Sequence, residues 1–279
     1  MADIVVVEPK DFKDHPVPKY ENMAKHEFSM LLIAPKGSGK TNLICNMILN
    51  HYKGYFHQIW VCSPTVQSDE KWDVVKNTKH ILSENKEMER ILMKLPKGKS
   101  LPKIVHHGLN HKEKFDGKIP EEDFFESMND ILPRVQEQKE IIENLKKRGI
   151  KHHKQVADRI LVILDDQAGS FPAGNITNPM SNFVIKHRHT STSILLVTQA
   201  YKMIPRSIRV NCNSMILFRI PNLIELRMIY EENPEGFHEN EWMERYNLAT
   251  EEPFSFMYIN NKFPKGKTVF KNFTEPLFV

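Results

Sequence analysis

FSMLLIAPKGSGKTNLICNMILNHY, residues 28–52, is the stretch on which the reading of this chain turns. FSMLLIA (28–34) is an apolar run of strand length that stops at Pro35 and Gly37. TNLICNMILNHY (41–52) then sets Ile44, Met47 and Ile48 at helical spacing. Between the two lies APKGSGKT (34–41), which fits the phosphate-loop pattern G-x-x-x-x-G-K-[ST] with Ala34 in the first glycine position.

Each part of that pattern has a physical task. Gly37 and Gly39 let backbone amides curl around phosphate oxygens with no side chain in the way. The following helix aims free N–H groups and its positive dipole end at the same anion. Lys40 is placed to contact β- and γ-phosphates, and the Thr41 hydroxyl to ligate Mg²⁺. The predicted nucleotide-binding loop is therefore Ala34, Pro35, Lys36, Gly37, Ser38, Gly39, Lys40 and Thr41, with ATP and Mg²⁺ as its cofactors. Ala34 is expected to cost some backbone freedom at the loop entrance.

Outward from this loop, QIWVCSPT (58–65), RILVILDD (159–166), SILLVTQ (193–199) and SMILFRI (214–220) are further apolar runs of strand length. Their apolarity is continuous rather than alternating, as in a mostly parallel sheet covered on both faces. The expected fold is α/β, a single domain over 1–279. It has a lead-in at 1–27 with a short strand at 4–7, a largely helical insertion at 66–158, and a C-terminal extension at 221–279. In the insertion, Phe124, Met128, Ile131, Val135, Gln138, Ile142 and Leu145 form one helical stripe broken by Gln138. This stripe is expected to pack on the protein's own sheet, and Pro133 to kink or split its helix. The extension reads as helices near 222–232 and 238–248, followed by a hairpin in FSFMYINNKF (254–263) turning at Asn260 and Asn261.

A phosphate loop needs an acid at the end of a buried strand, and RILVILDDQ supplies two. Asp165 is the natural Mg²⁺ residue, and Asp166 is placed to orient or deprotonate an attacking water. Thr198 and Gln199 end the next strand and could sense the γ-phosphate. Downstream, Arg206 and Arg209 are the first candidates for an arginine finger, in cis or from a neighbouring subunit, with Arg188 as a further guanidinium.

Composition narrows the classes. Across 279 residues, 40% hydrophobic and 27% charged residues exclude wholesale disorder and a coiled-coil rod. No apolar run approaches the ~18 residues of a membrane span, and MADIVVVEPKDFKD does not read as a secretory signal. A soluble protein of the cytosol or nucleus is expected. Net charge is only +4, yet 94–103, 146–154 and 262–271 are basic runs without an acid, suited to a polyanion. Cys45, Cys62 and Cys212 are too few and too scattered for a disulfide framework. The histidine pairs 106/107, 152/153 and 187/189 lack zinc partners at ligand spacing.

Taken together, APKGSGKT after a strand, WVCSPT, LVILDDQ and KHRHTSTSILLVTQAYKMIPRSIRVNCNSMILFR resemble the genome-packaging ATPases of large eukaryotic DNA viruses, virophages and Polinton-like viruses. These belong to the FtsK–HerA lineage of P-loop motors. The resemblance spans about 28–220. It implies a RecA-like sheet in which SILLVTQ is inserted between the phosphate-loop strand and the Asp strand, so that Gln199 lies between Lys40 and Asp165. It also implies ATP hydrolysis, a homo-oligomeric ring (pentamer or hexamer), double-stranded DNA as the translocated polymer, and a capsid or portal-vertex protein as docking partner. The place of action would be viral assembly sites in the host cytoplasm or nucleus, or the virion. Ala34 and Asp166 depart from the family pattern, the latter standing where related motors often carry Glu. A HerA-like helicase or processing ATPase, a P-loop nucleotide kinase and a non-hydrolysing nucleotide-binding scaffold are the competing readings.

Overall fold

The computed structural model describes residues 17–93, 115–150, 153–167, 169, 171 and 178–278. The strand expected at 4–7 and the basic run 94–103 lie outside them.

In chain order the elements are β1 (Ser29–Ile33), α1 (Lys40–Asn46), β2 (Gln58–Cys62), α2 (Glu70–Asn77), α3 (Lys86–Met93), β3 (Phe124–Phe125), α4 (Leu132–Lys147) and α5 (His153–Val156). They continue with β4 (Ile160–Asp165), α6 (Pro179–Lys186), β5 (Thr192–Thr198), α7 (Arg206–Arg209), β6 (Ser214–Leu217), α8 (Leu223–Glu232), α9 (Glu239–Ala249), β7 (Met257–Asn260), β8 (Val269–Lys271) and β9 (Glu275–Pro276). One sheet runs β3-β2-β4-β5-β1-β6-β7-β8-β9. It is parallel from β3 to β6 and antiparallel from β6 to β9.

The continuous apolar runs fill both faces of this sheet. Met30, Leu32, Leu161, Ile163, Leu195 and Val197 pack with Ile44 and Ile48 of the phosphate-loop helix and with Trp72 of α2. Leu31, Ile33, Val162, Leu164 and Leu196 pack on the other side with Phe183 of α6, Ile208 of α7, Leu226 and Ile229 of α8, and Trp242 and Tyr246 of α9. Each such side chain taken from water contributes roughly 1.5–3 kcal/mol. The strands are thus pinned where their polar ends must meet. β5 lies between β1 and β4, with Ile33 opposite Thr198 and Asp165 opposite Val197. This is the inserted strand that the resemblance implied.

Three local expectations need correction. Pro133 does not kink a helix: it occupies the first turn of α4, where its missing N–H has no intrahelical partner to lose. Consequently the stripe is not one helix. Phe124 sits in β3, beside β2, and Met128 and Ile131 lie in a 3₁₀ turn before α4. The stripe still packs inward, and Gln138 is buried with its side-chain amide donating to the Asp158 carbonyl at 3.2 Å. The hairpin does not turn at Asn260 and Asn261 alone. β7 pairs with β8 across the longer loop 261–268, so residues 261–263 leave the sheet.

Candidate functional site: a phosphate loop facing two aspartates

Four parallel strands end at one rim of the sheet and set out the site. At the end of β1 the Ala34 N–H still donates to the Thr198 carbonyl at 3.0 Å. Ala34 is fully buried and its φ is not positive, so alanine there costs no backbone freedom, contrary to expectation. The left-handed positions are Gly37 (φ 82°) and Gly39 (φ 90°), where a β-carbon would be strained. The Ser38 hydroxyl donates to the Pro35 carbonyl at 2.6 Å and closes the turn. The Gly39 carbonyl takes the first helical hydrogen bond, from Leu43 N–H at 3.0 Å. The helix then continues into a π turn over Met47–His51.

Lys40 reaches across to β4. Its ammonium forms an ion pair with Asp166 Oδ2 and lies 3.8 Å from Asp165 Oδ1. Asp165 is 3% exposed, and burial pushes its carboxyl above the ordinary range, against the pull of Lys40. Asp165 Oδ2 accepts from the Ser63 hydroxyl at 3.0 Å, whereas Oδ1 is buried and accepts no hydrogen bond. A buried carboxylate oxygen with no donor, next to a phosphate loop, suits a hard divalent cation. Asp166 is more open and stands in the left-handed region at φ 51°, a conformation aspartate tolerates better than most residues. Gln199 donates from Nε2 to Asp166 Oδ2 at 3.2 Å.

Lys40, Asp165, Asp166 and Gln199 therefore meet across β1, β4 and β5. Thr198 is spent locally: its hydroxyl donates to the Ala200 carbonyl and accepts the Ala200 N–H. Ser63 joins the site without having stood out in the sequence. The signal for it is present in WVCSPT, a hydroxyl at the end of a strand adjoining the aspartate strand.

The arginines separate. Arg209 is buried, gripping Glu232 through Nε at 3.1 Å and Nη2 at 2.7 Å, donating to the Ile204 carbonyl at 2.8 Å, and lying 4.4 Å from the Tyr201 ring centroid. Arg206 lies 3.6 Å from Glu232 and its side chain is 75% exposed. Arg188 is at the opposite rim, in the turn that precedes β5.

At that opposite rim other basic residues gather. Lys154, Arg188 and Lys262 all act on the Glu27 carboxyl, and Lys25 and Arg188 act on Lys262. Parts of the runs 146–154 and 262–271 thus come together although 108 positions separate Lys154 from Lys262 in the chain. Lys271 is not part of this group, since it pairs with Glu251 and Glu252 at 3.2 and 3.0 Å.

The model of the family described as "Poxvirus A32 protein" matches residues 123–225, the segment holding Asp165, Asp166, Gln199, Arg206 and Arg209. The resemblance to viral genome-packaging ATPases is borne out. Among solved structures, the genome packaging NTPase B204 of Sulfolobus turreted icosahedral virus 2, in complex with AMPPCP, is similar with a TM-score of 0.53 at 13% identity. That match covers 90% of this chain and 98% of the viral protein. B204, the DNA-packaging ATPase of Sulfolobus turreted icosahedral virus, gives a TM-score of 0.50 at 13% identity over 89% of this chain and 98% of its own. At such identities the likeness establishes the P-loop NTPase fold. No curated protein matches the chain, and among the described residues no helix is long and apolar enough to cross a membrane.

Proposed function

We propose that this protein is an ATP-driven, oligomeric motor that moves double-stranded viral DNA into a preformed capsid. The observation that carries the reading is the Lys40 ammonium paired with Asp166 while Gln199, from the strand inserted between β1 and β4, holds the same carboxylate oxygen. A nucleotide kinase has no use for a polar sensor on an inserted strand. The A32 family match over the same segment favours a packaging motor over a HerA-like processing enzyme.

The residues divide the work as follows. The loop 34–41 cradles the phosphates, with Lys40 countering charge on the terminal groups. Mg²⁺, held by Thr41 and Asp165, would supply positive charge to the phosphate oxygens. Asp166 orients the attacking water and takes its proton, and Gln199 fixes the Asp166 carboxylate. Asp166 is one methylene shorter than glutamate, and its left-handed backbone offers a different approach to the site. Arg206 is the candidate trans finger, because Arg209 already serves the Glu232 pair. Subunits in a ring of five or six would bring Arg206 of one to the phosphate loop of the next. A capsid or portal-vertex protein would dock the ring at viral assembly sites in the host cytoplasm or nucleus. Lys25, Lys154, Arg188 and Lys262 form the face offered to DNA phosphates.

The decisive experiment measures ATP turnover with and without double-stranded DNA. Strong stimulation by DNA is the expected result; phosphate transfer to an added nucleoside monophosphate, or absence of turnover, would overturn the motor reading.

A further inference from the structure

Phe254 is 70% exposed, an unusual setting for a phenylalanine, and it stands in the left-handed region at φ 66°. Its ring rests on the phosphate loop: a β-carbon added to Gly39 would lie 2.9 Å from Phe254 Cδ1. A strained, exposed aromatic residue persists only when its surroundings hold it, and here they do. Lys271 on β8 pairs with both Glu251 and Glu252 just before it in the chain. The Ser255 hydroxyl donates to the Glu252 carbonyl at 2.8 Å, and Phe256 is buried against Phe218 and Phe273.

The strand order says what this ring faces. Asp165, Asp166 and Gln199 stand on β4 and β5, to one side of β1, whereas Phe254 leads into β7, to the other side beyond β6. A nucleoside triphosphate seated on the loop with its terminal phosphate between Lys40 and Asp166 extends away from β4 and β5. Its base then travels toward Phe254. We infer that Phe254 is the stacking platform for the nucleobase of the bound nucleoside triphosphate. The inference rests on the phosphate-loop reading above and adds the base-binding residue to it. Gly39 acquires a second reason to be glycine: besides its φ, it leaves the room that lets the ring reach the loop.

The test separates base from phosphates by comparing ATP with inorganic tripolyphosphate, each with Mg²⁺, in calorimetric titrations of the full chain. Stacking of one base on an aromatic ring is worth about 5- to 150-fold in affinity. Phe254→Ala should weaken ATP by that factor and leave tripolyphosphate within about twofold of the unaltered protein. Phe254→Trp should keep ATP affinity, with indole fluorescence that ATP quenches and tripolyphosphate does not. If Phe254→Ala weakens both probes equally, the ring merely supports the loop and the proposal is wrong. It is equally wrong if neither probe is weakened, or if ATP leaves the Phe254→Trp fluorescence unchanged. If the unaltered protein binds neither probe, the phosphate-loop reading itself fails and the proposal with it.

Discussion

The two rims of the parallel sheet are built from the same strands and carry opposite charge chemistry. Where β1, β4 and β5 end, acids and a single lysine meet around glycine-rich backbone. Where they begin, Lys154, Arg188 and Lys262 act on one glutamate, Glu27, with Lys25 beside Lys262, and His26 stays neutral. At the first rim Asp166 Oδ2 meets Lys40 and Gln199 and Asp165 Oδ2 meets Ser63, while the buried Asp165 Oδ1 accepts no hydrogen bond. At the second, Lys154, Arg188 and Lys262 share that glutamate, and with Lys25 beside Lys262 positive charge is in surplus. A rim that binds one defined anion must be assembled to within tenths of an ångström, whereas a rim that tracks a regular polyanion needs only net field and exposure.

The sharpest way to break this comparison is to disable one rim and read the other. Lys40→Ala should reduce ATP turnover by at least about 10²-fold, since it removes charge stabilisation of the phosphates, with double-stranded DNA binding unchanged and the fold retained. Asp166→Asn should still bind ATP yet turn over slowly. Turnover close to that of the unaltered protein in Lys40→Ala would end the assignment of the first rim.

The two neighbouring arginines sharpen it further. Arg206→Ala should cost on the order of 10³ in turnover, leave stability within about 0.5 kcal/mol, and regain activity when mixed with Lys40→Ala subunits. Arg209→Ala should instead destabilise the fold by about 3 kcal/mol, because it strands the Glu232 carboxylate; chemical denaturation of both variants decides between the roles. Equal loss of stability in the two would show that Arg206 is structural too.

At the basic rim the effect is smaller and graded. Replacing Lys25, Lys154, Arg188 and Lys262 by Gln should weaken binding to all duplex sequences alike. The slope of log affinity against log salt should flatten by about 0.9 for each DNA phosphate that is no longer neutralised. An unchanged slope would return these residues to an ordinary solvated surface. The smallest expected effect concerns acid. Burial, with Arg159, His57, His187 and Lys262 adding to it, lowers the pKa of His26 to about 3, and burial with Lys19 lowers that of His51 to about 4. Both titrate near 6.5 when unfolded, so the unfolded chain binds more protons below that pH. Stability is fully present above pH 6.5 and should decline as pH falls toward 4. Melting curves across that range should show it, with a shallower decline in His26→Gln.

Much of this was legible in one dimension. The phosphate loop is contiguous, so eight residues sufficed to name it, and Asp165 and Asp166 follow from an apolar strand ending in acids. The continuous apolar runs marked buried parallel strands because only a sheet covered on both faces tolerates them. The resemblance supplied the place of β5, which no local pattern contains, and the strand register confirms it. Local reading failed where a residue's effect depends on its position along an element. Pro133 breaks a helix only from inside it, and Ala34 needs glycine's freedom only at positive φ. Tertiary structure alone decided the rest. It divided Arg206 from Arg209 by giving Glu232 to one of them, joined basic runs from distant segments at one rim, and set Phe254 on Gly39 across the sheet. Such contacts join residues far apart in the chain, and it is the closure of the packed core, not the local backbone preference of either partner, that brings them within reach.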